Sequence, residues 1–179
     1  MIDLTISAAR YGDPEGKSVV ITTAERGEIA FTEARAELWS KLQQWIRLGH
    51  TIAAYPLDDL KAERLQQVED RFGVAVSAGM VYGGKVLQIR DKDRSNLDTM
   101  GTEARWAKLL NKPWPADMAW RMKDDTFLRI DTADKMIALA EAAMAEFHRL
   151  LRVKWAHDDA IKALASAQAI KAYDIGTGW

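Results

Sequence analysis

The sequence predicts an α+β fold: a small N-terminal module of β-hairpin, helix and strand, followed by a mainly helical domain carrying two further β-hairpins. Three observations predict it. β-branched and polar residues alternate on either side of Glu25-Arg26-Gly27. Two more alternating stretches turn at Gly83-Gly84 and at Asp124-Asp125. Between and after them run segments with apolar residues at helical spacing.

The elements follow in chain order. The first hairpin has arms at 18–23 and 28–31. A helix then places Leu38, Leu42, Trp45, Ile46 and Leu48 on one side with Trp39 beside them, and Gly49 sits where a left-handed C-cap residue belongs. TIAAYP predicts a short strand ended by Pro56, which has no N–H to offer a ladder. This divides the chain into a module over 1–57 and a domain over 58–179. The first of these is close to the size at which an isolated core is marginal.

The second region opens with a helix whose first turn carries Asp58 and Asp59, whose face is Leu60, Arg64, Leu65, Val68 and Phe72, and whose expected stop is Gly73. Each of the two following hairpins runs into a polar cap and a helix. Leu87-Gln88-Ile89-Arg90 before Asp93-Arg94 matches Leu128-Arg129-Ile130-Asp131 before Asp134-Lys135, which reads as an internal pseudo-repeat with Asp91 and Thr132 as the expected helix caps. Ile137, Ala140, Met144, Phe147 and Leu151 then mark the face of a long helix. His157-Asp158-Asp159 is expected to end it and to cap a last helix bearing Ile161, Leu164, Ala165 and Tyr173. The closing KAYDIGTGW predicts a helix stop at Gly176 and Gly178 and an aromatic hook at Trp179, docked first on the chain's own core and alternatively on a partner.

Composition narrows the function. The chain has 179 residues, 48% of them hydrophobic, enough to build a core. Its 25 basic and 26 acidic residues are interleaved, so no surface-wide field favours nucleic acid or an anionic membrane. No stretch approaches the length of an apolar membrane span, and MIDLTISAARYGD has no basic segment leading into an apolar core, so an unprocessed cytosolic product is expected. With zero cysteines, thiolate nucleophiles, disulfides and cysteine-ligated metals are excluded.

Catalytic constellations are not evident. Consecutive residues on a helix point about 100° apart, so His157, Asp158 and Asp159 do not converge on one ion unaided. His50 follows a helix stop and His148 lies mid-helix; neither has a partnered nucleophile in sequence. Asp58-Asp59 and Asp124-Asp125 read as cap and turn residues, because acid–base pairs need two separated environments. Gly83-Gly84 lacks the Lys-Ser/Thr and following helix of a phosphate loop, and no G-x-S-x-G elbow occurs. No cofactor and no metal are expected.

The seven tryptophans carry more information, since this side chain combines a large apolar area with an N–H that tolerates a wet edge. Trp39 and Trp45 are offset by about 120° around their helix, so they are not expected to face one core squarely together, and one of them is expected to face a partner or the second region. Trp114, between Pro113 and Pro115, reads as a plug over the bundle end or a binding hot spot, and Trp106, Trp120 and Trp155 as core or rim. Candidate interaction residues are therefore Trp39, Trp45, Trp114 and Trp179.

GG followed by DKDRSNL, then LLNKPWP, AWRMKDDTF, an Ala-rich helix with KWAHDDAIKAL, and the ending AYDIGTGW resemble an uncharacterised domain family of bacteriophages and prophages over about Leu57 to Trp179. That domain is found at the C-terminal end of small tail-fibre-associated proteins. Its usual ending is Gly-Trp-Pro or Gly-Trp, of which Gly178-Trp179 is kept. The resemblance implies a non-enzymatic tail component at the baseplate or tail-fibre junction, made in the host cytoplasm and located in the virion tail. It would bind other phage tail proteins and, as an option, copies of itself. The alternatives are a tail-fibre assembly chaperone absent from the mature particle and, from another class, a small cell-envelope hydrolase.

Overall fold

A computed structural model of the chain describes residues 4–179. The chain packs as two compact units: one comprises the chain up to Ala62 together with Leu164–Ala172, the other Glu63–Ala163 with Tyr173–Trp179. The architecture is α+β, as the sequence predicts, with β-structure at the N-terminus and a mainly helical region bearing two small hairpins.

In the first unit, β1 (Ile6–Tyr11), β2 (Ser18–Thr23) and β3 (Gly27–Thr32) form a three-stranded antiparallel sheet in that order. The expected hairpin is β2–β3. Strand β1 was not anticipated, because ISAARY has alanines where a strand usually shows β-branched residues. Register aligns Ala9, Ile21 and Ile29, and likewise Tyr11, Val19 and Phe31. Period-two alternation thus gathers Ala9, Val19, Ile21 and Phe31 on one face, where they are buried against Leu42 of α1 (Ala36–Arg47). In the β1–β2 turn the Asp13 carboxylate accepts from the backbone N–H groups of Glu15, Lys17 and Ser18 and from the Ser18 hydroxyl. The expected strand at TIAAYP is reduced to a single parallel bridge between Arg10 and Ala53, with Tyr11 N–H donating to Ala53 O at 2.9 Å. The short helix α5 (Ala167–Ala172) belongs to this unit; it buries Ile170, and Lys171 forms an ion pair with Glu15.

Helix α2 (Leu57–Ala78) contains the division between the units. It does not stop at Gly73. Gly79, at φ +81°, ends it instead, and a Cβ there would lie 2.4 Å from the Leu87 carbonyl oxygen, so only glycine lets the chain pass at this point. The first hairpin, β4 (Met80–Tyr82) and β5 (Lys85–Leu87), turns on Gly83 and Gly84, both at positive φ. It leads into α3 (Asp91–Leu109). Asp91 is the first helical residue rather than the cap; the Asp93 carboxylate accepts from the Arg90 N–H at 3.2 Å and satisfies that end.

The second hairpin, β6 (Ala119–Arg121) and β7 (Phe127–Arg129), leads into α4 (Ala133–Ala163). Thr132 caps α4 through Lys135 N–H at 3.2 Å. The expected stop at His157-Asp158-Asp159 is not made: those residues lie inside α4, as does Ile161, while Leu164 and Ala165 fall in the link before α5. Charged residues are compatible with helix interior when one face carries the packing, so the polar cluster was a poor breaker signal. Helices α3 and α4 pack together, with Gly101 against Ala140, and with ion pairs Arg105–Glu141 and Lys108–Asp134 along the seam. The core beneath the hairpins is Leu87, Ile89, Leu97, Met122, Ile130, Met136, Leu139 and Leu150.

Candidate interaction surfaces

The four tryptophans singled out in the sequence all rest partly on apolar cores. Trp39 meets Phe31 edge-on at 6.3 Å, and Trp45 stacks on His50 at 4.5 Å with the rings 11° apart. Both pack against the same core cluster in the first unit. The expectation that the helix would turn one of them outward is corrected by the residue between them: Leu42 bisects the angle and is fully buried, so the two indoles flank it on one broad apolar stripe. Leu48, expected on this face, is exposed. Trp114 packs against the second core and donates its Nε1–H to the Ile130 carbonyl at 2.8 Å.

Trp179 lies beside Phe72 at 6.4 Å and stacks on His157 at 5.4 Å, with its Nε1–H donated to the Ile175 carbonyl at 2.8 Å. Gly178, at φ +86°, supplies the reversal, and the Arg149 guanidinium donates to its carbonyl at 2.7 Å. The same guanidinium holds Glu146 at 2.8 Å, which keeps that carboxyl below the usual range. His157 is the residue that the sequence did not assign to this place. It is buried, with Nδ1 2.9 Å from the Tyr173 hydroxyl and Nε2 3.0 Å from the Thr177 carbonyl. A carbonyl only accepts, so Nε2 carries a proton, and in the neutral ring Nδ1 takes the Tyr173 O–H. His157 is a tail-docking residue.

Other groups with chemical potential fall into local roles. Asp124 accepts from the Thr126 hydroxyl and N–H, and those hydrogen bonds lower its pKa. Asp58 and Asp59 sit in the first turn of α2. Asp158 accepts from Lys154 at 2.9 Å, and Glu69 approaches the same ammonium at 3.1 Å; the Asp158 hydrogen bond, then that of Glu69, raise the lysine pKa against its desolvation. Arg94 lies 3.5 Å over the Phe147 ring. Among the described residues no group of three or more His, Asp or Glu side chains is placed to hold a metal ion.

The exposed apolar side chains are elsewhere. Trp106, Leu109 and Leu110 are 57%, 69% and 53% exposed, and their spacing puts them together on the last turn of α3 and its C-cap, Leu110. Trp155 on α4 is exposed as well. Sequence reasoning placed Trp106 and Trp155 in core or rim, because an indole is usually well covered. The helical spacing of Trp106, Leu109 and Leu110 was available as a signal, but nothing in it distinguishes an outward face from an inward one.

The model of the domain of unknown function DUF4376 matches residues 58–177, which takes in α2, both hairpins, α3, α4, α5 and most of the docked tail. The chain belongs to this family. The DUF4376 match therefore contains both copies of the pseudo-repeat, His157 and the exposed turn of α3, and leaves the three-stranded sheet outside it. No curated protein and no solved structure matches the chain. No helix among the described residues is long and apolar enough to cross a membrane.

Proposed function

We propose that this chain is a non-enzymatic bacteriophage tail component, sited at the baseplate or tail-fibre junction, that works by contact with other tail proteins. The observation that carries the contact role is the exposed Trp106, Leu109 and Leu110 face, since tryptophan is enriched at the centres of interfaces and the two leucines extend the apolar area beside it. Lys108, in the same turn, is held by Asp134, which leaves the apolar face bordered by a matched ion pair. The motif resemblance supplies the phage and tail-fibre context. The four tryptophans resting on cores act in this reading as supports that keep each unit rigid, and Trp106 carries the contact.

The test is the double substitution Trp106→Ser with Leu110→Ser in the gene as carried by its host. Both side chains are exposed, so the circular dichroism spectrum and melting temperature of the purified chain should stay close to those of the parent. The variant should be lost from assembled particles. Incorporation at the parental ratio would contradict the contact role.

A further inference from the structure

A groove in the second unit, separate from the α3 end, has the composition of a ligand site. Its volume is about 720 Å³, within the range of about 300–1,000 Å³ typical of small-molecule sites. One wall is α3, where Asp93, Asn96 and Met100 fall at i, i+3 and i+7 and so share a face. The opposite wall is strand β6 with Trp120, continuing to Arg121. Trp120 packs one part of its ring on the core and is half-buried, so the remainder lines the groove.

The rim is polar and its charges are matched. The Asp93 carboxylate accepts from Arg90 Nε at 2.8 Å, and Arg121 pairs with Asp125 at 2.8 Å. The Gln88 amide oxygen takes an Arg90 hydrogen bond, which leaves its NH2 group for a ligand. Asn96 is exposed, and no hydrogen bond within the described residues engages its amide. An anionic or cationic ligand thus meets no unmatched opposite charge here. What the walls offer is an aromatic surface, methionine side chains and two planar amides, of which Asn96 is able to engage a pair of adjacent hydroxyl groups and Gln88 to donate through its NH2.

We propose that this groove binds a neutral saccharide, with the C–H face of a pyranose ring against Trp120 and its hydroxyls on Asn96 and Gln88. The stacking covers apolar C–H groups, and the amides satisfy hydroxyls that would otherwise lose their water partners. The proposal is independent of the contact role of α3 and stands or falls by its own test.

The full chain, fluorescently labelled, is applied to a glycan array printed with neutral hexose and N-acetylhexosamine oligomers beside sialylated and uronic-acid-containing ones. Retention of neutral glycans is expected, and Asn96→Ala should weaken it about tenfold, the loss of one ligand hydrogen-bond pair, or about 1.4 kcal/mol. Because Asn96 is exposed on a helix, that variant keeps its fold, which circular dichroism verifies. Trp120→Phe, which retains a ring, should weaken binding less than Asn96→Ala. Three results would each overturn the proposal: no glycan retained by the parent chain, acidic glycans retained and neutral ones not, or neutral glycans held equally by parent and Asn96→Ala.

Discussion

The two hairpin-helix copies of the second unit share a sequence pattern and differ in how they hold it. In the first copy the turn is two glycines at positive φ, Leu87 and Ile89 are both fully buried, and the helix that follows has 19 residues. In the second the positive φ falls on Asp125, Leu128 is only half-buried, and the helix has 31 residues. Their loops also touch. Lys123 N–H donates to the Val86 carbonyl at 2.9 Å, its ammonium donates to the carbonyls of Ser77 and Ala78 at the end of α2, and Lys85 donates to Phe127 O at 3.0 Å. The first hairpin is therefore the layer whose matched Leu and Ile are both buried, and the second, with Ile130 buried and Leu128 half-open, is a clasp hydrogen-bonded to it.

The largest expected effect tests that assignment directly. Leu87→Ala should cost about 2–5 kcal/mol, as for other fully buried leucines, while Leu128→Ala at the equivalent position should cost about 1 kcal/mol, measured by urea denaturation. Equal losses would mean that the copies are energetically equivalent and the layer-and-clasp distinction is wrong.

The seam between the copies gives the next effect. A Cβ on Gly101 would lie 2.8 Å from the Ala140 Cβ, closer than real carbon pairs approach. Gly101→Ala should therefore cost about 1–2 kcal/mol, the overpacking term exceeding the helix-propensity gain. Adding Ala140→Gly should recover part of the packing loss, a coupling read from a double-mutant cycle. Gly73→Ala is the control: it is helical with open space around it, and should stabilise the chain by about 0.4–1 kcal/mol.

These glycines also mark what the sequence disclosed. Gly73, Gly79 and Gly101 look alike in a string of letters, yet one is an exposed helix position, one a stop and one a point of helix contact. Only Gly79 has a conformational requirement, and φ is not written in the sequence. The hairpins were legible because alternation and paired turn residues are local signals. Strand β1 was not, since its pairing with β2 is set by register rather than by its own composition. Helix α4 was legible in type and misplaced at its end, because His157 reads as a breaker locally and is held within the helix by Tyr173 and Thr177, 16 and 20 residues away. The groove was invisible for the same reason: Asn96 and Trp120 line it together although 24 residues separate them in the sequence. Trp39 and Trp45 show the converse, a helical angle that was computed correctly and interpreted too narrowly.

Turn chemistry supplies an effect in the first copy that should be nearly absent in the second. Gly84→Ala forces a side chain into a left-handed position and should cost about 1–2 kcal/mol. Asp125→Gly relieves the same strain, at φ +63°, and loses only an exposed ion pair with Arg121, so stability should change by less than about 0.5 kcal/mol. Thermal melts of the two variants give the comparison; a large loss in Asp125→Gly would show that the Arg121 pair holds the clasp.

The smallest effect is a pH dependence confined to the second hairpin. Hydrogen bonds from the Thr126 hydroxyl and then its N–H lower the Asp124 pKa in the folded chain. A depressed folded value means that the turn is supported above the ordinary carboxylate pKa and loses that support as pH falls through the folded value. The protection of the Thr126 amide against exchange, taken relative to its intrinsic rate at each pH, should therefore fall in acid while that of Val86, in a strand of the first hairpin, changes less. Asp124→Asn should abolish the difference.

The functional account rests on one measurement above the others: quantitative mass spectrometry of purified, tail-intact particles from the host that carries this gene. The account predicts this chain at a fixed stoichiometric ratio to the other tail proteins. Its absence from the particles alongside abundance in the lysate would contradict a structural role in the tail.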